Sequence, residues 1–211
     1  MIELPKNCLV DKFIPKKSFY EKVNMSNSLK EEFVYKLGKI YWKYKISENT
    51  INISKTEKVE EIEVFELELK EKYDSKNLIR IITQKIPYPI LFYIKFNKEF
   101  QYAIKYDNSV FLTDWNEEIQ IIIKGFDLEQ VYNNIVKSIV NIDNSVKDLD
   151  YEIQKKNRIN RLNEEIKKLE SKIRSEKQFN IKAQYNDEIN KIKKEIEGLL
   201  WYYLWLTRKG M

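Results

Sequence analysis

The sequence predicts an α/β (α+β) chain: a mixed β-sheet domain with flanking helices, followed by an antiparallel coiled-coil hairpin at the C-terminus. Three observations lead there. Apolar residues alternate with polar ones in Lys39 to Ile46 and Glu61 to Lys70, the period of half-buried strands. They recur at three and four residues around Leu29, Leu78 and Leu128, the period of helices packed on a sheet. From Arg158 to Leu206 the three-and-four spacing runs almost without error in two seams.

Taken in order, LPKNCLVDKFIPKKSFYEKV carries two prolines and reads as an extended lead-in, with Ser18 as an N-cap for a short helix. Ser26 or Ser28 then opens a helix whose Leu29, Phe33 and Leu37 share a face and which Gly38 stops. Lys39 to Ile46, Ile51 to Ser54 and Glu61 to Lys70 read as a three-stranded meander. The pair Asp74-Ser75 caps a helix over Lys76 to Ile86, which Pro87 ends. Ile90 to Phe96 is apolar at nearly every position and reads as a central strand covered on both faces. Asn97-Lys98 turns the chain into Phe100 to Tyr106, with further strands at Val110 to Asp114 and Ile119 to Lys124, six or seven in all. Asp127 caps a helix with Leu128, Val131, Ile135 and Ile139 inward, and Asp143-Asn144-Ser145 breaks it. The expected domains are therefore 1–142, globular, and 143–211, helical.

In the second domain Ile159, Leu162, Ile166, Leu169 and Ile173 form one seam, and Tyr185, Ile189, Ile192, Ile196 and Leu199 the other. Phe179 to Gln184 interrupts the phase, so the economical reading is a helical hairpin; one long helix with a stutter is the alternative. The closing LLWYYLWLTRKGM is too apolar all round for one side of a hairpin and is expected to pack on the globular domain or on a partner.

Composition narrows the function. The chain has 211 residues, 43% hydrophobic and 34% charged, with 14 Tyr and 10 Phe but only 4 Gly and 4 Pro. There is no histidine and one cysteine, Cys8, which removes Ser-His-Asp and Cys-His nucleophiles and imidazole-bound zinc. Any chemistry falls to carboxylates and lysines, hence to Mg²⁺-type sites. No apolar run is long enough for a membrane span and the N-terminus lacks a secretion signal, so a cytoplasmic location without membrane contact is expected. The net charge is +5; residues 151–197 hold thirteen Lys/Arg against nine Asp/Glu, the solvated face of a coiled coil or a weak attraction for phosphate.

Specific strings add a resemblance. The start LPKNCLVDKFIPKKSFYE, the block WKYKISENTINIS, the strand IEVFELELK, IPYPILFYIKF followed by AIKY, the TDW at Thr113 to Trp115 and EKQFNIKAQYNDEINKIKKEIE resemble the bacterial DUF4391 family over essentially the whole chain. The resemblance implies a place beside SNF2-type helicases and DNA methyltransferases in restriction or anti-phage clusters. It names no catalytic residue.

One constellation invites a chemical reading. Ile62, Val64, Glu66, Glu68 and Lys70 share one face of their strand, and Phe65, Leu67 and Leu69 the other. An E-x-K, Glu68 and Lys70, on the third strand of a helix, three-strand, helix, strand order resembles the PD-(D/E)xK nuclease core. There Glu48 is the candidate upstream acid, Glu68 and an additional Glu66 are candidate metal ligands, and Lys70 activates water. The competing reading is an ordinary cross-strand charge pair on a lysine- and glutamate-rich sheet. The expected function is accordingly an accessory subunit of a bacterial DNA-defence system, free of cofactors, that docks a helicase, a methyltransferase or a second copy through the arm, with DNA as a further partner. The alternative is a Mg²⁺-dependent endonuclease using Glu48, Glu68 and Lys70.

Overall fold

Strand alternation and a few capping side chains set the architecture of the computed structural model, which describes residues 4–20 and 26–209, the side chains of 20, 28 and 201–209 aside. The chain divides into two compact units, Met1–Val146 and Lys147–Met211.

The first unit is built on one six-stranded sheet in the order β1-β2-β3-β4-β5-β6, with β1 Leu9–Phe13, β2 Leu37–Ser47, β3 Glu61–Leu69, β4 Ile90–Phe96, β5 Glu99–Tyr106 and β6 Ser109–Leu112. Neighbours are antiparallel except β3 and β4, whose parallel pairing is bridged by a helix, so the sheet is mixed. The residues that alternate inward on one face, Phe65, Leu67, Phe92, Ile94 and Ala103, join a core with Phe19 of α1 (Lys17–Tyr20), Leu29 of α2 (Asn27–Glu31) and Phe33 of the π-helical turn Glu32–Lys36. The same core takes in Leu78, Ile79, Ile81 and Ile82 of α4, Lys76–Lys85. The other face is buried too at Ile62, Val64, Leu91 and Ile104. The central strands are thus apolar on both sides, which is why Ile90 to Phe96 shows no clean alternation. Helix α5, Leu128–Val140, lies against β3, β5 and β6; Asp127 caps it by accepting from the Gln130 amide at 2.8 Å.

Two expected strands are absent. Ile51 to Ser54 is drawn instead into a helical turn, α3 (Glu48–Ile51), because Thr50 Oγ1 accepts from the Ser47 amide at 2.8 Å and Asn52 closes the turn with a left-handed φ of 57°. Only an isolated bridge, Ser54 to Asp127, remains there. Ile119 to Lys124 runs as irregular chain tied to a helix: the Ile122 amide donates to Ser138 Oγ at 3.2 Å and Asn134 donates to the Lys124 carbonyl at 2.8 Å. The meander is therefore β1, β2 and β3, with helices inserted after β1. The helix, three-strand, helix order that suggested a nuclease core becomes helix, two strands, helix, strand.

Gly38 is also placed differently. It lies inside β2 rather than after a helix, and a Cβ there would stand 2.8 Å from the Glu68 carbonyl oxygen. Glycine permits that close approach of two strands.

In the second unit α6, Leu149–Ser175, starts at Asp148, whose carboxylate accepts from the Tyr151 amide at 2.9 Å, and α7, Phe179–Lys209, follows a three-residue break. Leu162, Ile166 and Leu169 bury against Ile189 and Ile192, flanked by Ile173, Tyr185, Ile196 and Leu199. Arg158 bonds Glu195 at 2.7 Å and the Lys172 ammonium stands 5.7 Å from the Tyr185 ring, so the two helices run in opposite senses. The break falls at 176–178, ahead of Phe179, where the seam changes phase. The side chains of the aromatic tail, Trp201, Tyr202, Tyr203 and Trp205, lie outside the described residues. No helix among the described residues is long and apolar enough to cross a membrane.

Candidate functional site at the end of the third strand

Strand register arranges the sheet face that carries Glu66 and Glu68 into rows. Phe13, Tyr41, Glu66, Tyr93 and Tyr102 are successive cross-strand partners, and the next row is Lys39, Glu68, Lys95 and Phe100. Directly opposed residues share a face and touch. Tyr93, Phe100 and Tyr102 make a ring cluster with centroids 5.3 to 5.8 Å apart. Glu66, only 6% exposed, pairs with Lys95 at 3.6 Å, and Glu68 with Lys39 at 3.5 Å. Burial, and then the Glu66 charge, hold the Tyr93 hydroxyl above the usual phenol range. Each carboxylate in the rows therefore has its own ammonium, and the face is close to neutral.

Lys70 bonds backbone rather than Glu68, whose ammonium partner is Lys39. Beyond the end of β3 its amide continues the ladder to the Lys36 carbonyl at 2.8 Å, while its ammonium turns to the Val34 carbonyl at 3.2 Å. Lys16, from the loop before α1, reaches the same oxygen at 3.4 Å and the Leu37 carbonyl at 2.8 Å. Both lysines thus donate to the Val34 carbonyl near the end of the helical turn Glu32–Lys36, and Lys16 also to the first carbonyl of β2. Burial, and then the positive charge of Lys70, keep the Lys16 ammonium below the usual lysine range.

Glu48 is remote from the others. It follows Ser47, which pairs with Glu61, whereas Glu68 pairs with Lys39 at the opposite end of the same ladder. At about 3.3 Å per residue that is roughly 23 Å of strand. The structure brings Glu66 and Glu68 together on one face, sets Glu48 far along the ladder and ties the Lys70 ammonium to the Val34 carbonyl. Among the described residues no group of three or more acidic or cysteine side chains is placed to hold a metal ion. Two glutamates already engaged by lysines do not make the hard-oxygen cage that Mg²⁺ takes.

Three participants escape sequence reasoning. Lys39 and Lys95 pair with the glutamates only through register, and Lys16 meets Lys70 only through the turn at Val34. A fourth had a signal. Glu63 occupies the same strand parity as Phe65 and Leu67, the core parity, and is 3% exposed, with Oε2 unpartnered. Burial, followed by the charge of Glu61 and a hydrogen bond to it, raises its carboxyl to about 8, so Glu63 is protonated near neutrality. Lys45 is ion-paired with Glu61 beside it. A glutamate interrupting an apolar parity was visible in IEVFELELK.

The fold and this site define a class: an α+β domain with a mixed sheet and a charge-compensated face, joined to a pair of long helices with a buried seam. The chain belongs to the DUF4391 family, a domain of unknown function, whose model matches residues 2–196. Comparison with curated proteins and with solved structures gives no match.

Proposed function

We propose that the protein is a non-catalytic accessory subunit of a bacterial DNA-defence system, which docks a helicase or methyltransferase subunit through its C-terminal helices. The observation that carries the reading is the second unit itself. Its two helices bury Leu162, Ile166, Leu169, Ile189 and Ile192 between them and surround that seam with charge, which is compatible with a coiled-coil pairing. Such a pair offers a long surface to another protein. The separation of Glu48 from Glu68 along the ladder supports the same reading, because it leaves the endonuclease alternative without its upstream acid.

The test is co-expression with an SNF2-type helicase and with a DNA methyltransferase, followed by size-exclusion of the wild type and of Ile166→Asp. The proposal expects a stable complex with the wild type and its loss in the variant. A plasmid-nicking assay with Mg²⁺ or Mn²⁺ runs beside it. Nicking by the wild type that Lys70→Ala abolishes would refute a non-catalytic role.

A further inference from the structure

Most lysines at this end of the sheet are already neutralised. Lys36 pairs with Glu71 at 3.2 Å, Lys39 with Glu68, Lys72 with Glu99 and Lys76 with Asp74 at 3.7 Å. Lys16 and Lys70 differ: among the described residues neither has a carboxylate partner, and they face each other. Their ammonium nitrogens stand 3.4 and 3.2 Å from one oxygen, that of Val34, which bounds their separation at 6.6 Å. The carbonyl's partial charge fixes both positions without cancelling two full charges. Lys16 spends two of its three N–H groups on carbonyls and Lys70 one, so three donors remain. Two ammoniums held at one carbonyl oxygen can donate jointly to an anion. Phosphate oxygens accepting at about 2.8 Å from each nitrogen can bridge such a separation.

We propose that Lys16 and Lys70 together form a binding site for a phosphate-type oxyanion, carried either by a nucleic-acid backbone or by free phosphate. The positive charge that Lys70 imposes on the partly buried Lys16 is what the anion relieves, and lysine is a point-charge ligand suited to it. The site lies in the first unit and is independent of the docking reading; partner capture and oxyanion binding can fail separately.

The experiment uses the full-length protein. Inorganic phosphate is titrated while the side-chain signals of the lysines are followed by NMR, and a labelled 20-nucleotide single strand and its duplex are titrated by fluorescence anisotropy between about 50 and 200 mM salt. Lys16→Gln, Lys70→Gln and the double variant are compared, since the glutamine amide can still donate to Val34 while the charge is gone. The proposal expects phosphate-dependent shifts at Lys16 and Lys70. Where the source is a nucleic-acid backbone, it also expects oligonucleotide affinity to fall about three- to tenfold per substitution and the duplex salt slope to drop by about 0.9 in the double variant, the loss of one phosphate contact. Shifts with phosphate alone assign the site to the free anion. No shift at either lysine in the wild type overturns the proposal whether or not the variants fold, and so does a double variant that binds phosphate as the wild type does.

Discussion

Glu63 spends the folded state with its carboxyl out of water, and the consequence is a pH dependence with a definite sign. Its folded value of about 8 lies above the ordinary 4.5, so the folded chain holds a proton that the unfolded chain has released across that window. The stability this group contributes is full below about pH 4.5 and is lost as pH rises through about 8. Thermal melts of Glu63→Gln, which mimics the protonated form, should therefore gain on the wild type steadily from pH 5 to pH 8. Parallel profiles for the two proteins would show that Glu63 ionises freely. Gly38 makes a second prediction at this scale. A methyl group there meets the Glu68 carbonyl at 2.8 Å, and backbone cannot give way as a side-chain tip can. Gly38→Ala should cost about 1–3 kcal/mol in chemical denaturation; an unchanged midpoint would mean β2 and β3 part at no cost.

At the scale of elements, the end of the first unit is held by a lysine rather than by apolar packing. Lys137 in α5, 8% exposed, donates to the Asn144 carbonyl at 3.2 Å and to that of Val146 at 2.6 Å, fixing the chain that leaves the helix. Lys137→Met keeps the buried stem and removes both donors, so it should lower stability by roughly 1–3 kcal/mol, the net contribution of its two hydrogen bonds. Amide exchange at 142–146 should quicken with it, and unchanged exchange would count against the clasp. Elements were legible where one local rule decided them. Asp127 before Leu128, the alternation of Lys39 to Ile46 and the spacing of Leu78 and Ile82 each predict the element that forms. Ile119 to Lys124 defeats the same reading because the Ile122 amide and the Lys124 carbonyl find α5 instead of a strand, and periodicity says nothing about which neighbour is present. Ile51 to Ser54 fails because a Ser47–Thr50 capping interaction outweighs weak β preference in so short a segment. The candidate site was less legible still. Glu66 and Glu68 share a face by alternation alone, but Lys70 bonds a carbonyl at Val34, and Lys16 arrives from 54 residues upstream.

Across the whole molecule, the two units rest on different cores and should answer separately to damage. The sheet core runs from Phe19 to Val110, while the helical seam is confined to Leu162 through Ile192 with its flanking residues. Ile166 is 9% exposed at the middle of the seam, so Ile166→Asp places a carboxylate against Ile189 and Ile192 with no cation in the seam to meet it. The group must either ionise in apolar surroundings or take up a proton, and both cost several kcal/mol. Two helices that bury one stripe apiece have little else to set against that loss. The variant should lose helical circular dichroism equivalent to much of α6 and α7 at neutral pH and regain part of it below pH 5, as the aspartate protonates. In the same sample the amide resonances of Phe65, Leu67, Phe92 and Ile94 should keep their dispersion, because their packing involves none of the seam. Collapse of those sheet resonances together with the helical signal would show that the sheet core depends on the seam.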